Sequence, residues 1–249
     1  MKKMIIALVV TAGDRSLEKS INSILEQTKK VDHIFIASEK EINTNYQVFL
    51  NPYKKGLARN TNQALIKIKE LFQNENIFIA TLDDDDTWNK DYISQANNLI
   101  DEGYNFITGW VEVYNQNEKK SEWIFQKEEI NINNFLLRNI GILGSNKIFN
   151  LDLALESGGM GKSINRATDR FFNISLLMHP EIKVGLINDF VIKYNKDSNR
   201  DRITNDLSME NDFKNFYRHF DALISDDDVS KINERHEKIH EIKGAISWR

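Results

Sequence analysis

Four consecutive aspartates, Asp83 to Asp86, are the residues of this chain best suited to chemistry. Carboxylates packed so closely repel one another unless a cation sits among them. Mg²⁺ and Mn²⁺ are hard ions that prefer oxygen ligands. Such an ion can clamp a phosphate-bearing substrate and take up the negative charge that forms as a phosphate leaves. Acidic runs are also common in plain solvated loops, so the flanking residues matter. Asp83 follows the run Ile77-Phe78-Ile79-Ala80-Thr81-Leu82, and Asp86 precedes Thr87-Trp88. The run is rich in β-branched and aromatic residues and reads as a buried strand. Open α/β sheets bind ligands just beyond the C-terminal ends of such strands. A second acidic run, Asp226-Asp227-Asp228, follows no buried strand and leads into Val229-Ser230-Lys231-Ile232. That one reads as the capped start of a helix.

The elements that must position the aspartates come from hydrophobic periodicity. Met4 to Thr11 reads as a first strand and Leu17 to Gln27 as a helix. Val31 to Ala37 and Tyr46 to Leu50 are further strands. Leu57 to Phe72 is a helix with Leu57, Ala64, Leu65, Ile68, Leu71 and Phe72 on one side, and Tyr92 to Ile100 is another that stops near Gly103. Strand and helix alternate through this part, which predicts a parallel sheet with helices on its faces. Further on, Phe106 to Tyr114 and Glu122 to Phe125 read as antiparallel strands around Asn115-Gln116-Asn117-Glu118, with another strand over Ile142 to Phe149. Ser157-Gly158-Gly159-Met160-Gly161 is a loop, Thr168 to Met178 a helix and Val184 to Tyr194 mostly strand. Asn195 to Ser208 reads as a loop, and the charged tail from Met209 is helical.

Bulk properties narrow the function. The chain has 249 residues, 41% hydrophobic and 28% charged, as in an ordinary soluble domain. Its net charge of -4 argues against a nucleic-acid partner. It has no cysteine, so disulfides, thiolate metal sites and cysteine nucleophiles are excluded. Lys2-Lys3 before Met4 to Val10 imitates a secretory signal with Thr11-Ala12-Gly13 as its cleavage region. The apolar run is at the short limit for that role, and helical spacing resumes at once at Leu17, so a buried strand is expected. No stretch has the length of a transmembrane span. These features suit a cytoplasmic protein, with contact at the inner face of the membrane left open.

Four segments in order carry a family resemblance: Ser23-Ile24-Leu25-Glu26-Gln27-Thr28, Gly56-Leu57-Ala58-Arg59-Asn60, Leu82-Asp83-Asp84-Asp85-Asp86-Thr87-Trp88 and Ala167-Thr168-Asp169-Arg170. With the opening strand, the chain from about Met4 to Ser198 resembles the family-2 glycosyltransferases of the GT-A fold, which are nucleotide-diphospho-sugar transferases. The resemblance implies a GT-A type, Rossmann-like, mostly parallel α/β sheet with helices on both faces, a small antiparallel acceptor region and a C-terminal helical extension. It implies a glycosyltransferase domain over 1–205, with a donor half (1–103) and an acceptor half (104–205), and an extension over 206–249. By the same resemblance, Asp83 and Asp84 belong to the donor site and Asp85 holds Mn²⁺ or Mg²⁺. Asp84 and Asp86 also suit supporting or helix-capping roles. Thr11 falls where the family's backbone contacts the base. Glu39 stands in Ser38-Glu39, where the family has an aspartate pair, so a carboxylate survives one methylene longer. Arg59 opens a helix and faces the donor, because helix N-termini and guanidinium groups suit anions; an ordinary glycine-initiated helix start is the other reading. Asp169 takes the place of the catalytic base and Thr168 replaces the usual glutamate before it. A carboxylate in a first helical turn is also simply favoured by the helix dipole. Asp197 lies where relatives have a metal-binding histidine, and is either a metal ligand or a surface residue.

Together these imply a metal-dependent, inverting transferase of the hexosyl or N-acetylhexosaminyl type. The donor would be a nucleotide sugar, with a UDP-sugar expected, and the acceptor a saccharide or lipid-linked saccharide in cell-surface or extracellular polysaccharide synthesis. A nucleotidyltransferase of similar fold and a non-catalytic nucleotide- or sugar-binding relative are the alternatives. His236-Glu237-Lys238-Ile239-His240 matches the zinc-protease pattern H-E-x-x-H. Charged neighbours and only nine following residues argue against that chemistry. Trp88, Trp110, Trp123 and Phe125 are candidates either for core packing or for stacking on a sugar.

Overall fold

A computed structural model describes residues 2–51, 56–115, 118–124, 129–161, 164–196, 209–240 and 248. The first half alternates strand and helix: β1 (Lys3–Thr11), α1 (Glu18–Leu25), β2 (His33–Ser38), β3 (Gln47–Leu50), α2 (Leu57–Leu71), β4 (Asn76–Asp83), β5 (Thr87–Trp88) and α3 (Tyr92–Asp101). The second half holds β6 (Phe106–Asn115), β7 (Lys120–Ile124), α4 (Ile132–Leu137), β8 (Lys147–Asn150), α5 (Leu151–Glu156), α6 (Thr168–Leu177), β9 (Val184–Lys196), α7 (Met209–His219) and α8 (Asp226–His240). Phe125 and Asp197 lie outside the described residues.

The strands form one sheet in the order β3-β2-β1-β4-β8-β6-β9-β5, with β7 paired to β6. Pairing is parallel through β3, β2, β1 and β4 and again between β6 and β9. It is antiparallel at β4–β8, β8–β6, β6–β7 and β5–β9. This is the α/β fold expected, and every antiparallel pair involves a strand of the second half.

Period-two alternation sends side chains to both faces. Ile6, Leu8 and Val10 of β1 join Ile77 and Ile79 of β4 in one core, closed by α2, α4, α5 and α6. Phe213, Phe216 and Tyr217 of α7 and Ile232 of α8 belong to the same core. Ile5, Ala7 and Val9 join Phe78, Ala80 and Leu82 in the other, closed by α1 and α3. A strand buried on both faces reads as an unbroken apolar run, which is why β1 looked like a short signal. Leu71, expected on the inner side of α2, is instead 52% exposed.

Two short helices and one irregular stretch depart from expectation. α4 and α5 have six residues each, too few for periodicity to show. Their signal was the cap: the side chains of Asn131 and Asn150 accept hydrogen bonds from the N–H groups of Asn134 and Leu153. The strand expected over Ile142 to Phe149 shrinks to Lys147–Asn150. Asn139 accepts from the N–H groups of Gly141 and Ile142, and Asn146 bonds Leu143, Gly109 and Gly141. Side-chain bonds of this kind replace ladder bonds. The second acidic run opens α8 as expected, with Ser225 and Asp228 capping each other.

Candidate active site

The aspartates leave β4 at its C-terminal end and turn at once, with the Asp86 N–H donating to the Asp83 carbonyl at 3.2 Å. The turn sorts them by parity. Asp84 and Asp86 are 6% and 1% exposed, while Asp83 and Asp85 keep partial contact with solvent.

Each inward carboxylate has partners. Asp84 accepts from the Thr11 hydroxyl at 2.5 Å and from Arg15 at 2.6 Å. Asp86 accepts from the Ser145 hydroxyl at 2.5 Å and from the Asn195 N–H at 3.0 Å. The Asn195 side-chain amide also donates to the Asp85 carbonyl. Arg15 reaches a second carboxylate, Asp85, at 2.6 Å. The strand after the turn is braced from α1: Ser23 accepts from the Trp88 N–H, and Gln27 bonds the Asn89 carbonyl and the Ile93 N–H. Trp88 itself is buried and donates to the Ser145 carbonyl. It is a core residue, not part of a sugar-binding surface.

The remaining expected residues gather along the same sheet edge. Thr11 ends β1, is 2% exposed, and spends its hydroxyl on Asp84 and the Gly13 N–H. Glu39 follows β2 and accepts from the Gly56 N–H at 2.6 Å, so it secures the entry to α2. Gly56 adopts φ +126°, where glycine is favoured. Arg59 lies exposed in the first turn of α2. Asp169 occupies the first turn of α6. Its Oδ1 lies 2.7 Å from the ammonium of Lys147, which is fully buried while the Asp169 side chain is 30% exposed. Arg170 turns away and donates to the carbonyls of Phe135 and Leu136, tying α6 to α4.

Arg15, Ser145, Lys147 and Asn195 were not anticipated. Only Lys147 left a trace in the sequence, as a lysine inside an apolar, strand-like run. The others act through contacts between residues far apart in the chain, which spacing does not reveal.

The electrostatics follow from this crowding. Burial pushes the Asp83 carboxyl well above the usual range; the charges of Asp86, Asp169 and Asp85 add to this, and Lys147 opposes it. Burial likewise raises Asp84, against the bonds from Thr11 and Arg15. Asp86 is pushed up to about 7, chiefly by burial, against its bond from Ser145. The folded protein therefore favours protonated Asp86. Its contribution to stability is full below about pH 4, the ordinary carboxylate range, and is lost as pH rises through about 7. In metal-free buffer, the Tm advantage of the wild-type protein over Asp86→Asn should shrink between these limits and stay constant above them. Melting curves across that interval test this, and an advantage that grows with pH refutes it.

The donor set fits a hard dication. Asp83 and Asp85 keep partial contact with solvent, Asp85 while paired with Arg15, and the repulsion that adds to burial in raising Asp83 is what a cation would relieve. Among the described residues no three acidic, histidine or cysteine side chains form a complete metal cage. Mg²⁺ sites commonly use one or two carboxylates plus substrate phosphates. Asp197 lies outside the described residues.

His236, of the H-E-x-x-H match, is buried. Its Nε2 lies 2.8 Å from the Tyr217 hydroxyl, and its ring packs edge-on against Phe213. It serves the core beneath α8.

Acidic side chains at the end of a central parallel strand, facing another carboxylate at a helix start, define an α/β group-transfer site. The model of glycosyl transferase family 2 matches residues 8–153, more than half of the chain, and the chain belongs to that family. Solved structures of similar fold include Staphylococcus aureus TarS 1-349 in complex with UDP-GlcNAc. It has a TM-score of 0.69 at 16% identity, covering 96% of this chain and 73% of that one. TarS 1-349 in complex with UDP gives 0.67 at 16% identity, covering 98% and 74%. The longer TarS structure gives 0.66 at 17% identity, and there this chain spans 44% of its length. No curated protein matches the sequence. No helix among the described residues is long and apolar enough to cross a membrane.

Proposed function

We propose that the protein is a metal-dependent, inverting glycosyltransferase that moves a hexosyl or N-acetylhexosaminyl group from a UDP-sugar to a hydroxyl acceptor. The observation that carries this is the convergence of Asp83 and Asp85 with the Lys147–Asp169 pair at one sheet edge, close enough that Asp169 raises Asp83. Binding of UDP-GlcNAc by TarS, a protein of the same fold, supports the choice of donor.

Asp83 and Asp85 would hold Mn²⁺ or Mg²⁺. The ion would neutralise the charge that grows on the departing diphosphate. Arg15 and Arg59 add positive charge for the phosphates, and Glu39 keeps the start of α2 in place for them. Asp169 accepts the proton of the acceptor hydroxyl as that oxygen bonds to the anomeric carbon. The bond from that carbon to the phosphate oxygen breaks on the opposite face, so UDP leaves and the configuration inverts. Residues 1–103 serve the donor, 104–205 the acceptor, and 206–249 extend the domain.

A thermal-shift screen of nucleotide sugars with and without Mn²⁺ tests this. The expected result is a rise in Tm with a UDP-sugar that requires the metal. A ligand at a hundred times its Kd adds about 2.7 kcal/mol, enough for a rise of a few degrees. No metal-dependent shift with any donor refutes the reading. Release of pyrophosphate in place of UDP would instead mark a nucleotidyltransferase.

A further inference from the structure

We propose that Arg15 is a displaceable counter-ion of the aspartate turn. It occupies Asp85 until a divalent ion takes that carboxylate, and then turns onto the donor's diphosphate, so that metal and nucleotide bind tightly only together. This rests on the transferase reading above and adds a regulation of the same site.

Asp85 is the carboxylate assigned to the ion, yet a cation already sits on it. Arg15 Nη1 lies 2.6 Å from Asp85 Oδ2 and 2.6 Å from Asp84 Oδ1. The two carboxylates differ. Asp84 is buried and is also held by the Thr11 hydroxyl, whereas the Asp85 side chain is 30% exposed. The bond to Asp84 is therefore the pivot, and the bond to Asp85 is the one open to exchange. A guanidinium and a divalent ion on one carboxylate repel each other, and salt screens them little in a partly buried site. Arg15 must give up Asp85 before a metal can take it.

The guanidinium is poorly used where it stands. Both contacts run through Nη1, so the planar fork meets neither carboxylate with two nitrogens. Its Nε is buried and has no hydrogen-bond partner among the described residues. A buried N–H without an acceptor is costly. An arginine seated only to brace the fold is expected to use its fork. The unused donor suits a phosphate, which accepts two parallel N–H bonds from one guanidinium. The sheet edge on which Arg15 stands is where the donor's diphosphate belongs.

The exchange needs only the side chain to move. Thr11 accepts from the Gly13 N–H at 2.9 Å, and Gly13 has φ +78°, where a Cβ would lie 2.8 Å from Lys40 Cβ. The turn leading into Arg15 is thus pinned between the end of β1 and the residues after β2. The Arg15 side chain is 28% exposed and can reorient on a fixed backbone.

The test measures Mn²⁺ binding by calorimetry, without nucleotide and with saturating UDP, after subtraction of the Mn²⁺–UDP complex formed in solution. Arg15→Gln keeps an N–H for Asp84 and removes the charge. It should bind Mn²⁺ alone at least about fivefold more tightly than the wild-type protein. The factor by which UDP tightens Mn²⁺ should fall by at least about fivefold, a common size for coupling between two ligands. Arg15→Lys keeps the charge but not the fork. Its affinity for Mn²⁺ alone should stay near the wild-type value, while its affinity for UDP in the presence of Mn²⁺ falls. Mn²⁺ bound no more tightly by Arg15→Gln than by the wild-type protein overturns the proposal. So does an unchanged effect of UDP on Mn²⁺ in that variant, and Arg15 is then a structural bridge. If melting curves show Arg15→Gln to be unfolded, Arg15→Lys decides alone, and an unchanged affinity for UDP overturns the proposal. A wild-type protein that binds neither Mn²⁺ nor UDP is the separate sign that the transferase reading is wrong, and the exchange falls with it.

Discussion

Asp169→Asn should lower kcat by about 10²–10⁴-fold, the usual contribution of a positioned general base. The amide has nearly the shape of the carboxylate but cannot take the proton of an attacking hydroxyl. Stability should fall as well, because the fully buried Lys147 ammonium loses its carboxylate partner and keeps only the amide oxygen. Donor affinity should be retained, since the nucleotide is assigned to residues of the other half of the sheet. Initial rates of UDP release measure the first effect, and calorimetric binding of UDP with Mn²⁺ measures the second. Turnover equal to that of the wild-type protein would remove Asp169 from the mechanism. Loss of UDP binding would show instead that Asp169 acts on the donor.

Lys147→Met should lower kcat by about 100-fold. The fully buried ammonium holds the Asp169 carboxylate at 2.7 Å, and it also opposes the proton on Asp83. Methionine fills similar space without charge. The base then loses its fixed position, and displacements near 1 Å can cost about that factor. A double-mutant cycle distinguishes this from general damage. If Lys147 acts through Asp169, the Lys147→Met/Asp169→Asn double variant should be no slower than Asp169→Asn alone. Independent, multiplying losses would separate Lys147 from the base. The cost in stability is itself informative: removing one partner of a buried pair leaves the other uncompensated, so a fall in Tm should accompany the loss of rate. Raising the pH should not restore the rate if position, not protonation, is what was lost.

Much of the donor half was legible because its physics is local. A strand buried on both faces must be apolar throughout, and β1 and β4 are. The end of β4 was marked by the abrupt change from Leu82 to Asp83. α1, α2 and α3 showed their period because each presents an apolar stripe to the sheet. The acceptor half was less legible for equally physical reasons. α4 and α5 are too short to repeat, and the stretch before β8 is ordered by asparagine side chains rather than by a ladder.

The linear order of residues determined that a run of acid follows a buried strand, that the chain alternates strand and helix, and that it belongs with the family-2 transferases. Composition and periodicity suffice for the first two, since each depends on neighbours in the chain, while the family rests on the order of the four motif segments and the match over residues 8–153. Tertiary structure alone decided which aspartates are buried and which keep contact with solvent. Asp84 is claimed by Thr11, 73 positions away, and Asp86 by Ser145 and Asn195, 59 and 109 positions away. It likewise decided that a lysine from β8 meets the aspartate of α6. Such pairings arise from strand order and register, which depend on how all the apolar faces are buried at once.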